Sequence, residues 1–314
     1  MESHFAKRLA LAGVILSQMN FVPPSHSEDA AAFVLVDHGT GEVLLSKNGD
    51  APRQIASLTK IASTLVILEW MKKTDRDPAT LRVRVPKEAI RGGANPLGLM
   101  AGDEITIETG LFAAMMASDN TSMHTLAEAV GDQMIAGGES VSGIQRFVDR
   151  MNQLSESIGL KHTRFVNPHG LDETGEKGVS CAFDVARLAL YAEDLPEFRR
   201  YAAERERKVS IFRGGRELSV DLKSTNELLG SRGIDGTKTG TTRLAGACLV
   251  VTATRDLLED GRPVPHRLVA VILDSPDRFR EAVLLLDKGW NLLAARSGEA
   301  GKGNPKESLR KETE

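Results

Sequence analysis

Apolar and β-branched residues crowd Phe33-Val34-Leu35-Val36, give way at His38-Gly39-Thr40-Gly41 and resume at Val43-Leu44-Leu45, a pattern that predicts a β-hairpin. From Leu58 to Met71 the chain is apolar nearly all round, as a helix buried inside a protein would be. A helix-rich stretch follows. Thr106 is a good N-cap with Glu108 in the first turn, and that helix runs through Leu111 to Met116 as far as Ser118-Asp119-Asn120. A second helix ends at Gly131, and residues 144–158 and 182–193 carry amphipathic spacing, the former closed by Gly159. Strand patterns return at 207–212, 217–222, 236–242, 247–254 and 268–273, and a last helix runs from about Asp277 to Leu293.

Strands therefore open and close the chain around a helical block. This predicts an α+β fold: one antiparallel sheet flanked by the terminal helix and the helix after Ser57, plus a mostly helical lobe, with the site in the cleft between them. The sheet part covers about 28–82 and 205–295, and the lobe about 83–204. Ahead of this domain, Lys7-Arg8, the apolar run from Leu9 to Leu16 and the polar Ser25-His26-Ser27 follow the order of a secretory signal peptide over 1–27, the alternative being a buried N-terminal helix. Behind it, residues 296–314, with Gly301, Gly303, Pro305 and mixed charges, have no apolar face and are expected to be disordered.

Composition narrows the function classes. With 314 residues and 41% hydrophobic content the chain has ample material for a core, and its 40 basic and 43 acidic residues are interspersed, which leaves no basic stripe to grip nucleic acid. No later segment reaches the ~18 apolar residues of a membrane span, so the mature protein is expected outside the cytoplasm, periplasmic or extracellular, without a firm membrane anchor. Cys248, in Ala247-Cys248-Leu249-Val250-Val251, reads as a buried free thiol, although one disulfide with Cys181 is open to it. The seven histidines lack ligand spacing, and neither metal nor cofactor is expected.

Three short motifs carry chemistry. In Ser57-Leu58-Thr59-Lys60 the serine and lysine lie three residues apart at a helix start, so both fall on one face, and burial would lower the lysine pKa far enough for it to take the serine proton. Ser-x-x-Lys alone is weak, because Ser308-Leu309-Arg310-Lys311 in the tail fits it too; a capping serine beside a snorkelling lysine is the bland alternative. Ser118-Asp119-Asn120 lies between two helices, where it could face a cleft, or where Asp119 or Asn120 could simply cap the next helix. Lys238-Thr239-Gly240 sits in a polar strand of small residues that a ligand backbone can approach, or that a charge guards as a solvated edge.

Together and in this order, the three motifs resemble those of the penicillin-recognising serine enzymes. Asn167-Pro168-His169-Gly170-Leu171-Asp172, Ser224-Thr225-Asn226-Glu227-Leu228-Leu229 and the run from Gly236 to Thr242 are similar to the low-molecular-mass D-alanyl-D-alanine carboxypeptidases, serine peptidase family S11, over about 32–291. The resemblance implies a β-lactamase/DD-peptidase-like fold and a serine carboxypeptidase that removes the terminal D-alanine from peptidoglycan stem peptides and is acylated by β-lactams. It makes Ser57 the nucleophile, Lys60 the base, Ser118 a proton relay between Lys60 and Lys238, and Asn120 the orienting amide. The N–H groups of Ser57 and Thr241 would form the oxyanion hole, while Lys238, Thr239, Gly240, Thr241 and Arg278 face the substrate, with Arg280 the rival for the last place. Two departures stand out: Asp119, where this branch more often has a small residue, and Thr241 in place of histidine. A D,D-endopeptidase of the same family is the alternative; further off lie a β-lactamase, for which no Glu precedes an Asn by four, and a non-catalytic penicillin-binding module.

Overall fold

Strand β1 (Ala32–Asp37) and strand β2 (Val43–Lys47) form the expected hairpin, turned where Asp37 Oδ1 accepts the N–H groups of Gly39 and Thr40 at 2.7 and 3.1 Å. The computed structural model describes residues 29–300 except 135–140, 173–174 and 260, so the proposed signal segment and positions 301–314 lie outside the described residues. The hairpin is the start of a five-stranded antiparallel sheet ordered β2-β1-β9-β8-β7, with β7 (Ile234–Thr242), β8 (Gly246–Glu259) and β9 (Arg262–Leu273) following one another in a meander. Every residue of β1 is buried, because the sheet is covered on both faces. Phe33 and Leu35 point to one side, with Leu249, Val251, Leu268 and Ile272, and meet Leu285, Leu286 and Trp290 of the closing helix. Ala32, Val34 and Val36 point to the other, into a core shared with the helices.

At the centre of that second core lies α1 (Thr59–Thr74), whose all-round apolar sequence is explained by neighbours on every side. The lobe adds α2 (Ile107–Met116), α3 (Asn120–Asp132), α4 (Gly143–Ser157), α5 (Ala182–Glu193) and α6 (Pro196–Ala202). Thr106 caps α2 by accepting the Thr109 N–H, as predicted, and Gly159 follows α4 at φ +74°. One apolar cluster runs without a break from α1 through these helices to the sheet, so lobe and sheet are one folding body.

Two sequence-based expectations need correction. The strand patterns at 207–212 and 217–222 do not join the main sheet. As β5 (Glu206–Arg213) and β6 (Arg216–Lys223) they form a hairpin turned at Gly214-Gly215, both with positive φ, and pair with β4 (Glu104–Thr106) and β3 (Arg82–Arg84) in a second sheet ordered β3-β4-β5-β6. The physical reason is burial: β6 is exposed almost throughout, and only single inward positions such as Val209, Ile211 and Leu222 reach the core, which suits a sheet covered on one side. The closing helix α7 (Arg278–Ala300) also passes the predicted end at Leu293 and the predicted boundary at 296. Its Arg296 grips the Glu42 carboxylate through both terminal nitrogens, at 2.7 and 3.0 Å.

Candidate active site

Ser57 enters α1 through a 3-10 turn, Ala56–Leu58, and its side chain caps nothing. Lys60, in the first turn of α1, is completely buried, and its Nζ donates to three acceptors: Ser57 Oγ at 2.9 Å, Asn120 Oδ1 at 2.6 Å and the main-chain carbonyl of His169 at 3.1 Å. Burial lowers its pKa from 10.5 to about 7, against a smaller upward pull from the Asp119 carboxylate. The snorkelling alternative is thereby excluded, since no part of this lysine reaches water.

The second motif divides its work between neighbours. Asp119 is the N-cap of α3: Oδ1 accepts the Ser122 N–H at 2.8 Å and Oδ2 the Leu97 N–H at 3.1 Å. Asn120 is thereby free to turn its amide to Lys60, while its own N–H reaches Ala94 O at 2.8 Å. Gly93, at φ +77°, lies against that amide so closely that a Cβ there would stand 2.1 Å from Asn120 Nδ2. Ser118 adopts φ +60° at the junction of α2 and α3 and is half-buried. Among the described residues no hydrogen bond joins Ser118 to Lys60 or Lys238, whose Nζ donates to Thr239 O at 2.9 Å.

The third motif lies on β7, the edge strand of the main sheet, yet Lys238 does not guard that edge: it is buried, and burial together with the charges of Lys60 and Arg278 holds its pKa well below the usual lysine value. Thr239 Oγ1 meets Thr225 Oγ1 at 2.5 Å, and Thr225 in turn is bonded to Met116 O at the end of α2. Gly240 passes directly beside the nucleophile, where an added Cβ would be 3.0 Å from Ser57 N. Arg278 bonds Gly240 O, Thr241 Oγ1 and Cys248 O at 2.9, 2.7 and 3.3 Å. Arg280 is exposed and contributes only its N–H, to Asp277, so of the two arginines Arg278 is the one against the strand. The residues singled out from sequence fall on the turn and helix at Ser57–Lys60, the α2–α3 junction, β7 and the start of α7, where hydrogen bonds join Ser57, Lys60 and Asn120 in one group and Gly240, Thr241 and Arg278 in another. Both cysteines are buried free thiols.

Two contributors escaped the sequence. Lys60 leans on the carbonyl of His169, whose loop is shaped by Asn167 Oδ1 accepting the N–H groups of His169 and Gly170, and by Gly170, at φ +79°, packed so tightly on Ala56 that no side chain fits. That loop was conspicuous as a family mark, but a main-chain acceptor leaves no side-chain signal. Behind β7, buried Glu193 at the end of α5 accepts from Thr237 Oγ1 at 2.8 Å and pairs with Arg267 of β9 at 2.6 Å, while Arg267 also pairs with Asp235. Residues so far apart in the chain gave no spacing to read.

A serine hydroxyl 2.9 Å from a buried lysine whose pKa is lowered to about 7, with an edge strand drawn across it, is the arrangement that serine acyl transfer requires. In fold the chain is similar to the DD-transpeptidase of Streptomyces, which superposes with a TM-score of 0.74 at 24% identity over 86% of this chain and all of that one. Penicillin-binding protein D2 from Listeria monocytogenes, in its ampicillin-bound form, gives 0.69 at 26% identity, covering 85% of this chain and all of that one. Residues 18–276 match the D-alanyl-D-alanine carboxypeptidase family, peptidase S11, and the chain belongs to that family. Among curated relatives, D-alanyl-D-alanine carboxypeptidase DacF of Bacillus subtilis is 31% identical over 73% of this chain, and DacC of Escherichia coli is 31% identical over 84%. The chain spans 55% and 62% of the lengths of these two.

Proposed function

We propose that this protein is a serine D-Ala-D-Ala carboxypeptidase acting on peptidoglycan stem peptides outside the cytoplasm, and that β-lactams acylate it as substrate mimics. The observation that carries the reading is the buried Lys60, with a pKa of about 7, held 2.9 Å from Ser57 Oγ. When Lys60 is neutral it has two N–H bonds and one lone pair. Asn120 Oδ1 and His169 O are pure acceptors and occupy the two N–H bonds, so the lone pair is left facing the serine hydroxyl.

In the reaction, Ser57 Oγ attacks the carbonyl between the two D-alanines while Lys60 takes its proton. The N–H groups of Ser57 and Thr241 receive the developing oxyanion, a type of contact whose loss costs about 3 kcal/mol elsewhere. The C–N bond then breaks, and the proton returns to the leaving amine by way of Ser118. Lys238, Thr239 and Arg278 hold the terminal carboxylate, for which the cationic groups beside β7 provide the charge. Water, deprotonated by Lys60, hydrolyses the ester and restores Ser57. Among the described residues no helix is long and apolar enough to cross a membrane.

The test incubates wild type and Ser57→Ala with a stem pentapeptide ending in D-Ala-D-Ala, with a crosslinked dimer, and with a penicillin. Release of one D-alanine by wild type alone is expected. Preferred cleavage of the dimer would make the protein an endopeptidase, rapid turnover of penicillin a β-lactamase, and equal behaviour of the two proteins would remove Ser57 as nucleophile.

A further inference from the structure

We infer that His124 is a positioning residue for Lys60, acting through the ring of His169 stacked upon it; the inference rests on the reading of Lys60 as the base. His124 follows Asn120 by four residues on α3, so it projects from the same helix face one turn further on. Its ring lies 5.9 Å from that of His169, centre to centre, with the planes 21° apart. The His169 ring and carbonyl belong to one tightly bonded turn: Asn167 Oδ1 accepts the His169 and Gly170 N–H groups, Leu171 N–H reaches His169 Nδ1 at 3.4 Å and Asn167 Nδ2 closes on Leu171 O at 3.1 Å. That carbonyl is one of the two acceptors that orient the lysine, so a ring that shifts for want of backing carries the acceptor with it.

The surroundings favour a neutral, flat partner. His124 faces Glu128 on its own helix at 3.6 Å, and Glu88 from the turn Glu88–Arg91, besides His169 and, beyond it, Lys60. Burial holds both imidazoles below their ordinary pKa, so that near neutrality the stack carries no charge next to the lysine. Ring area, on this view, is what His124 supplies, and a phenyl ring would serve in its place.

Lys60 is followed directly by the NMR shift of its labelled Cε through a pH titration, in wild type, His124→Ala and His124→Phe, alongside the rate of acylation by a fluorescent penicillin. The expected result for His124→Ala is a Lys60 midpoint displaced to the acid side of wild type, since an acceptor favouring the ammonium is weakened, and acylation slowed at least about tenfold. His124→Phe should keep the wild-type midpoint and acylate within about twofold of wild type. An unmoved midpoint in His124→Ala, even with a lower Tm, overturns the inference, and so does an equal displacement in both variants. Wild type that titrates as described but is never acylated would sink the proposed function instead, leaving the NMR comparison to decide the role of His124.

Discussion

Asn120 Oδ1 lies nearer to Lys60 Nζ, at 2.6 Å, than the Ser57 hydroxyl does at 2.9 Å. The strongest hold on the proposed base is therefore an acceptor that can neither donate to it nor take its proton, which fixes the direction of the amine without competing for its chemistry. Asn120→Ala should slow acylation of Ser57 by a penicillin about 10²-fold with little change in Tm, read by stopped-flow with a fluorescent penicillin. Wild-type kinetics in this variant would mean that Asn120 does not orient the amine.

The rate of acylation should rise with pH and level off above a midpoint near 7, the pKa set by burial of Lys60. The same shift bears on stability. Lys60 has a lower pKa folded than unfolded, so between about 7 and 10.5 the unfolded chain binds more protons and stability gains as pH rises; below about 7 the full cost of burying the lysine is present. Lys60→Met should thus be inactive, and its Tm relative to wild type should be highest at pH 6 and decline toward pH 10, as measured by calorimetry.

Asp119 does two separable jobs. Asp119→Asn keeps an oxygen for the Ser122 cap but removes the charge that props up the Lys60 pKa, so the acylation midpoint should move to lower pH. Both variants lose the Leu97 N–H acceptor, but only Asp119→Ala loses the Ser122 cap, which should cost a further roughly 1–2 kcal/mol in denaturant unfolding. Equal midpoints in wild type and Asp119→Asn would show that the carboxylate does not act on the lysine.

Arg278 bonds the Gly240 carbonyl and Thr241 hydroxyl of β7 and the Cys248 carbonyl of β8, and the proposed function assigns it to the terminal carboxylate. Arg278→Ala should raise KM for a D-Ala-D-Ala peptide about tenfold or more, and much less for the same peptide amidated at its end. Equal losses on both peptides would assign Arg278 to strand support alone.

The Glu193–Arg267 pair predicts stability without touching the chemistry. Glu193 is buried, so Arg267→Met leaves an uncompensated carboxylate and should cost about 3–5 kcal/mol, whereas Glu193→Gln with Arg267→Met should recover much of it. Denaturant melts of the two variants decide between these outcomes.

Much of this was legible beforehand because local physics and tertiary structure agree. Thr106 both reads and acts as a cap, and Leu58 to Met71 reads as a helix without a solvent face and is buried except at Leu68 and Glu69. The three motifs were legible as a set, although each alone had a bland explanation, and one of these proved true of Asp119. The second sheet was not legible, since its β3 and β4 strands are three residues each and a hairpin pattern does not say which edge it will meet. The same limit hid the carbonyl of His169 and the partner of Glu193, both chosen by the path of the chain and not by residue type.

The staple between Glu42 and Arg296, and that between the Ala30 N–H and the Glu281 carboxylate at 2.5 Å, join the opening hairpin to the closing helix. Ser57 and Lys60 are made early in synthesis, but β7 reaches them only through β8 and β9, whose place beside β1 is sealed by α7. A chain that stops short of α7 would therefore hold Ser57 and Lys60 without the seal that keeps β7 drawn across them.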